Sequence, residues 1–161
     1  MRGEIPMDDV ELIQGMNRDL PQELGTICRS IQQAAMVRSP AGRDFRIFLK
    51  VRVIDDVMHA LFLAEKIADL GGVPNVTPTP FQTLTDPKEM LQHELETERH
   101  IIRHYRERLK QAEAVWALGL KTRLEKILAD EVEHEKAILG LLGKADTDGA
   151  LGGSPLKATA G

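Results

Sequence analysis

Cysteine is almost absent: Cys28 is the only one in the chain. A lone cysteine excludes an internal disulfide and any cysteine-rich zinc or iron–sulfur site. It is read as a small packing residue. Aromatic residues are scarce too, at 4% of 161 residues, so the core must be built from aliphatic side chains. No run approaches the roughly 18 consecutive apolar residues of a membrane span, and none is expected. The stretch from Met1 to Met7 lacks the apolar run of a secretory signal, which points to a soluble, cytoplasmic protein. Positive charge is not in excess. The formal net charge is −4, which gives no general affinity for nucleic acid.

What is abundant is Leu, Ile, Ala, Glu, Lys and Arg, a helix-forming composition in a chain of single-domain length. Apolar residues recur every three to four positions and predict four helices. The first runs from about Asp8 to Val37, with Pro21 inside it as a kink or a lost hydrogen bond. Ser39 and Pro40 read as the cap and first turn of the second helix, which runs to Leu70 and stops at Gly71-Gly72. Residues 73–85 hold Pro74, Pro78 and Pro80 and should be extended. This stretch can cross from one end of a bundle to the other. Asp86, Pro87 and Glu89 make a well-formed start for the third helix, which runs to about Ala114. The fourth runs from about Trp116 to Leu142. The expectation is an all-α, antiparallel four-helix bundle over residues 8–142 with one long crossover. Residues 143–161 are read as a flexible Gly-rich tail.

Charged residues stand where apolar ones belong. Glu131 and His134 share a helical face with Leu124, Ile127, Leu128, Ile138 and Leu142, a stripe that should face the core. Asp56 and His59 repeat the pattern among Phe45, Leu49, Leu63 and Ile67. Glu23 lies in the stripe of Leu12, Met16, Leu20, Ile27 and Ala34, and Glu98 in that of Leu91, Leu95, Ile102 and Tyr105. Asp56 follows Glu23 by 33 residues, Glu131 follows Glu98 by 33, and the two copies are offset by 75. In antiparallel hairpins that spacing brings four carboxylates and two imidazoles to one height. Taken alone, each Glu-x-x-His could be a satisfied core ion pair. Four buried carboxylates together need a cation, and two divalent metals supply the charge. This is a di-iron or di-manganese carboxylate constellation. Tyr105 either bonds a ligand carboxylate or fills space. Arg52, one turn before Asp56, is placed to pair with an acid when no metal holds it. Glu135 lies nearer the core edge, with a spare-ligand role as the lesser reading. His93, His100 and His104 form a stripe opposite Glu98, read as a solvated or subunit-contact face.

At Asn17 to Leu24, Ile54 to His59, Leu70 to Asn75, Leu95 to Glu98 and Ala129 to His134 the sequence resembles the ferritin-like superfamily, and within it the bacterioferritins. The resemblance covers about residues 8–142. It implies a ferritin-like bundle with two iron ions, or manganese as the alternative. Glu23 and His59 would serve one iron, Glu98 and His134 the other, and Asp56 and Glu131 would bridge. It also implies a homo-oligomer and ferroxidase activity, with Fe(II) and O2 or peroxide as reactants, for iron storage or detoxification. Haem is not implied, because Val57 replaces the methionine that follows the helix acid in bacterioferritins. Ser30 stands where that family has a tyrosine near the metals. Asp56 is one methylene shorter than the family's Glu. A di-metal oxidase acting on another substrate, and a bundle without catalysis, stand as alternatives. Asp148 to Lys157 resembles the C-terminal peptides that target cargo to encapsulin shells, with Pro155 interrupting the pattern. An ordinary flexible tail is the leading reading of that segment.

Overall fold

The computed structural model describes residues 7–147 as four helices: α1 Met7–Met36, α2 Arg43–Asp69, α3 Pro87–Ala114 and α4 Leu118–Thr147. Among the described residues there is no strand, and no helix is long and apolar enough to cross a membrane. α1 packs on α2 and α3 on α4; the two hairpins meet through α1·α3 and α2·α4. Asp19 reaches Arg108 while Arg29 reaches Glu94, so α1 and α3 are antiparallel. His59 reaches Asp130 while Asp44 reaches Lys144, so α2 and α4 are antiparallel as well. α2 and α3 therefore run parallel, and the chain between them must return along the whole bundle.

That crossover lies on α1. Asn17 Nδ2 donates to the Val73 carbonyl at 3.0 Å and its Oδ1 accepts from Asn75 N–H at 2.8 Å. Pro21 remains inside a continuous α1, and its carbonyl accepts from Thr79 N–H at 2.8 Å. One turn on, a Cβ at Gly25 would stand 2.7 Å from the Thr79 carbonyl oxygen. Only glycine lets the strap lie this close.

The helix ends differ from the sequence expectation in three places. Ser39 and Pro40 do not start α2. They form a turn in which Gly42 N–H donates to Ser39, and the helix begins at Arg43 with Gly42 as an N-cap lacking any side-chain bond. Trp116 is a turn residue with φ 55°, and α4 starts at Leu118. The tail expected from Gly143 does not start there, because α4 continues to Thr147. Buried Ala145 and the ion pairs Lys144–Asp44 (3.2 Å) and Lys88–Asp146 (2.6 Å) tie that last turn to the bundle. The remainder, with Leu151 and Leu156, lies outside the described residues. Asp86 caps α3 as expected, accepting from Lys88 N–H and Glu89 N–H at 2.9 Å each, with Pro87 at the first position.

The core is two apolar plugs with a polar layer between them. One gathers Leu12, Met16, Leu20, Leu63, Ile67, Tyr105 and Leu124. The other gathers Phe45, Leu49, Met90, Leu91 and Ile138. On α2, Asp56 and His59 fall between Leu49 of one plug and Leu63 of the other; on α4, Glu131 falls between Ile127 and Ile138. Each fully buried aliphatic chain contributes about 1.5–3 kcal/mol. The two plugs can thus offset a layer of buried charge that would not stand alone.

Candidate metal centre

The six predicted residues come together, all with 8% exposure or less. Glu23, Asp56, His59 and Glu131 each offer one donor atom, and these atoms lie within 4.8 Å of one another. Glu98, Glu131 and His134 form a second such group. Glu131 belongs to both. Its Oε1 is 2.8 Å from His59 Nδ1 and its Oε2 is 3.1 Å from His134 Nδ1, a bridging disposition. Asp56 joins the first group only.

Each imidazole is held from behind by the opposite hairpin. His59 Nε2 is 3.3 Å from Asp130 Oδ2, and His134 Nε2 is 3.3 Å from Asp55 Oδ2. A carboxylate on the far nitrogen orients the ring and turns Nδ1 toward the acid layer, where it would face a metal. Sequence reasoning passed over Asp55 and Asp130. The available signal was that an Asp directly precedes both acid-x-x-His motifs.

Tyr105 OH donates to Glu23 Oε1 at 2.5 Å. Arg52, fully buried, bonds Glu98 Oε2 and, at 2.6 Å, Glu94 Oε2; its Nε lies 3.4 Å from Asp56. Glu94 is also buried and is held by Arg29 at 2.5 and 3.0 Å. It too was missed, although it lies one turn before Glu98 on the same face. Other expectations fare differently. Glu135 turns away to Arg99 at 2.7 Å, and Cys28 is exposed rather than packed. His104 Nδ1 approaches Asp19 at 3.1 Å, with the His100 ring 4.1 Å from its own.

The electrostatics are those of a crowded, dry acid cluster. Burial, reinforced by neighbouring carboxylates, pushes Glu23 and Glu131 well above the ordinary carboxylate range. Burial likewise raises Asp56 to about 6, despite Arg52. Burial acts in the same direction on Glu98 and is the largest single influence, but Arg52 together with Glu131 and His134 outweighs it and the group falls to about 2. Burial would lower His134; its bond to Glu131 and the neighbouring Glu98 carboxylate prevail and raise it to about 11. Buried polar atoms nearly always find a partner. Here Glu23 Oε2, both Asp56 oxygens and Glu98 Oε1 have no hydrogen bond, and His59 Nδ1 and Glu131 Oε1 meet only each other, at 2.8 Å. So many donor atoms without an outside partner, on five of the six residues, are what a metal site would use. Mixed carboxylate and imidazole donors suit iron or manganese.

A ferritin-like domain model matches residues 13–147. A ferritin-like, diiron-carboxylate protein from Bacillus anthracis strain Ames is 34% identical, covers 85% of this chain and 99% of its own, and superposes with a TM-score of 0.82. A Rhodobacter capsulatus bacterioferritin, solved with a metal-free dinuclear site and haem iron in a crystallographic special position, is 21% identical. It covers 99% of this chain and 100% of its own with a TM-score of 0.80, a likeness of fold. A search of curated protein sequences finds no match. With two thirds of its length and more matched by the model and by the Bacillus anthracis structure, this chain belongs to the ferritin-like domain family.

Proposed function

We propose that the protein is a ferroxidase: it binds two Fe(II) ions at Glu23, Asp56, His59, Glu98, Glu131 and His134 and oxidises them. The observation that carries this reading is the set of donor atoms without an outside partner on five of those six residues. The two Fe(II) ions surrender one electron each. O2 takes both with two protons and leaves as peroxide, or peroxide takes both with two protons and leaves as two waters. The chain's part is to hold the ions with prearranged oxygens and imidazoles, and to keep the centre between two apolar plugs. The test is anaerobic loading with Fe(II) followed by O2, read by absorbance. The double variant Glu131→Ala/His134→Ala should remain helical and oxidise Fe(II) at least about 100-fold more slowly. Unchanged kinetics would sink the reading. Manganese suits the same donors; metal analysis of the purified protein separates the two.

The protein is further proposed to self-associate through α2. Ile47, Val51, Ile54, Met58 and Leu61 are all exposed and spaced four, three, four, three, a coiled-coil seam. Their counterparts 75 residues on, across α4, are Thr122, Lys126, Ala129, Glu133 and Lys136, all exposed and mostly polar. Placed antiparallel about Ile54, a second copy would set Arg43 against Glu65 at each flank. Delivery to an encapsulin shell through the C-terminal segment remains a proposal too. Deletion of residues 148–161 should abolish co-purification with such a shell and leave oxidation intact.

A further inference from the structure

The chain's internal repeat makes a control experiment of itself. Shifting by 75 residues superimposes Glu23 on Glu98, Asp56 on Glu131 and His59 on His134. Asp55 superimposes on Asp130 as well, but the residues that serve Glu23 and Glu98 do not superimpose. Tyr105, which donates to Glu23, corresponds to Ser30, which is buried, has no partner and leaves Glu98 unserved. Arg52, which does serve Glu98, corresponds to Ile127. One ligand carboxylate is thus steadied by a neutral hydroxyl, the other by a cation.

We propose that Arg52 is a built-in counter-cation that makes the two metal positions unequal: the position at Glu23, Asp56, His59 and Glu131 fills first, and the position at Glu98, Glu131 and His134 fills only as Arg52 yields Glu98. The inference rests on the metal-centre reading above. Three observations support it. The first position has four donor residues, the second three, and Glu131 is common to both. The Arg52 guanidinium is fully buried and cannot leave for solvent, and Glu94 and Arg29 anchor it from the far side. While Arg52 stays in place, neither one ion nor two balances the charges. The four ligand acids and Glu94 bring −5, Arg29 and Arg52 bring +2, and the enclosed sum is −3. One divalent ion leaves −1. A second takes the enclosed charge to +1, which is unfavourable in a dry interior unless an anion enters with it. With Arg52 absent, two divalent ions meet the four ligand acids evenly.

Co(II) titration of the chelator-treated full-length protein, followed by calorimetry and visible absorption, reads the order of filling. The wild type should bind in two steps, the first at least about tenfold tighter, ~1.4 kcal/mol. His134→Ala should keep the tight step and lose the weak one, whereas His59→Ala should lose the tight step. The charge-balanced pair Arg52→Gln/Glu94→Gln should bring the two steps together. If that pair does not fold, the two histidine variants decide alone. Loss of the tight step in His134→Ala, or two equal steps in the wild type, overturns the inference and leaves the metal centre standing. No Co(II) binding at all overturns both.

Discussion

The α1–α2 and α3–α4 hairpins carry one ligand pattern and the same Asp behind each imidazole, and differ in the residues beside Glu23 and Glu98 and on the surface. Within the core, α1–α2 has Asp56, Arg52 and Ser30 where α3–α4 has Glu131, Ile127 and Tyr105. On the surface, α2 exposes Ile47, Val51, Ile54, Met58 and Leu61 where α4 exposes Thr122, Lys126, Ala129, Glu133 and Lys136. The shared residues are those whose chemistry a metal dictates. The divergent ones fit tasks that only one hairpin performs: placing a charge beside one ligand and, in the proposed self-association, meeting a second copy. A repeat tells where the donors are, and its breaks tell where the two halves have been set to different work.

The surface difference is the one expected to break with the largest effect. Ile54 is 66% exposed at the centre of the α2 seam. Ile54→Glu puts a charge against its own copy and should weaken self-association by at least about 100-fold, ~2.7 kcal/mol, as read by sedimentation. Ala129→Glu on α4 is the matched control and should change nothing. Equal effects from both would remove the distinction between the faces.

A smaller effect is expected behind the imidazoles, where the hairpins are alike. Asp130→Asn should loosen the position served by His59, and Asp55→Asn the one served by His134. Each should lower metal affinity by roughly 10–100-fold with the helical content unchanged. Losses confined to one of the two variants would show that the cross-bracing is not symmetric.

The acid layer should appear in the stability of the chelator-treated protein. Asp56 titrates at about 6, above its ordinary value. The folded state therefore holds the extra proton, and stability falls as pH rises through that window. His134 is raised to about 11, so its contribution is full below about 6.5 and is lost as pH climbs toward 11. Glu98, lowered to about 2, acts the other way: its contribution is present above about 4.5 and lost on acidification toward 2. The optimum thus lies near pH 5, and the melting temperature should fall by roughly 5 °C between about pH 5.5 and about pH 8. Added Fe(II) under argon should stabilise more at the higher pH, because protons then compete less for the ligands. A flat profile for the metal-free protein would contradict the assigned titrations.

How far the sequence reveals this follows from what each feature depends on. The bundle, the crossover and the six donors depend on periodicity and spacing, which are local and repeat. Asp86 as cap of α3 was legible for the same reason. Glu94 was not, because its burial depends on Arg29 and Arg52, residues 65 and 42 positions away. The start of α2 was misplaced because Ser-Pro reads equally as a helix cap or a turn, and the packing of Val37 against Gly42 is invisible in a linear chain. The end of α4 was misplaced because Gly143 suggests a stop, while partners on α2 and α3 hold the following turn.

The smallest effect concerns how the hairpins end their helices. At the end of α2, Gly71 takes φ 86°, its N–H donates to Ala68, and Gly72 N–H donates to the Ile67 carbonyl at 2.8 Å. At the end of α3 the same pair of bonds recurs: Trp116 N–H to Glu113 at 3.1 Å and Ala117 N–H to Ala112 at 3.0 Å. There the left-handed position is held by Trp116, with φ 55° and 84% exposure. A side chain in that conformation costs about 1–2 kcal/mol, and this one recovers little by packing. Trp116→Gly should therefore raise stability by about 1 kcal/mol net of the added freedom of the unfolded chain, or ~2–4 °C in melting temperature. Trp116→Ala keeps the Cβ and should gain nothing. A gain from alanine as large as that from glycine would mean that the exposed ring, and not the backbone, was the source of the strain.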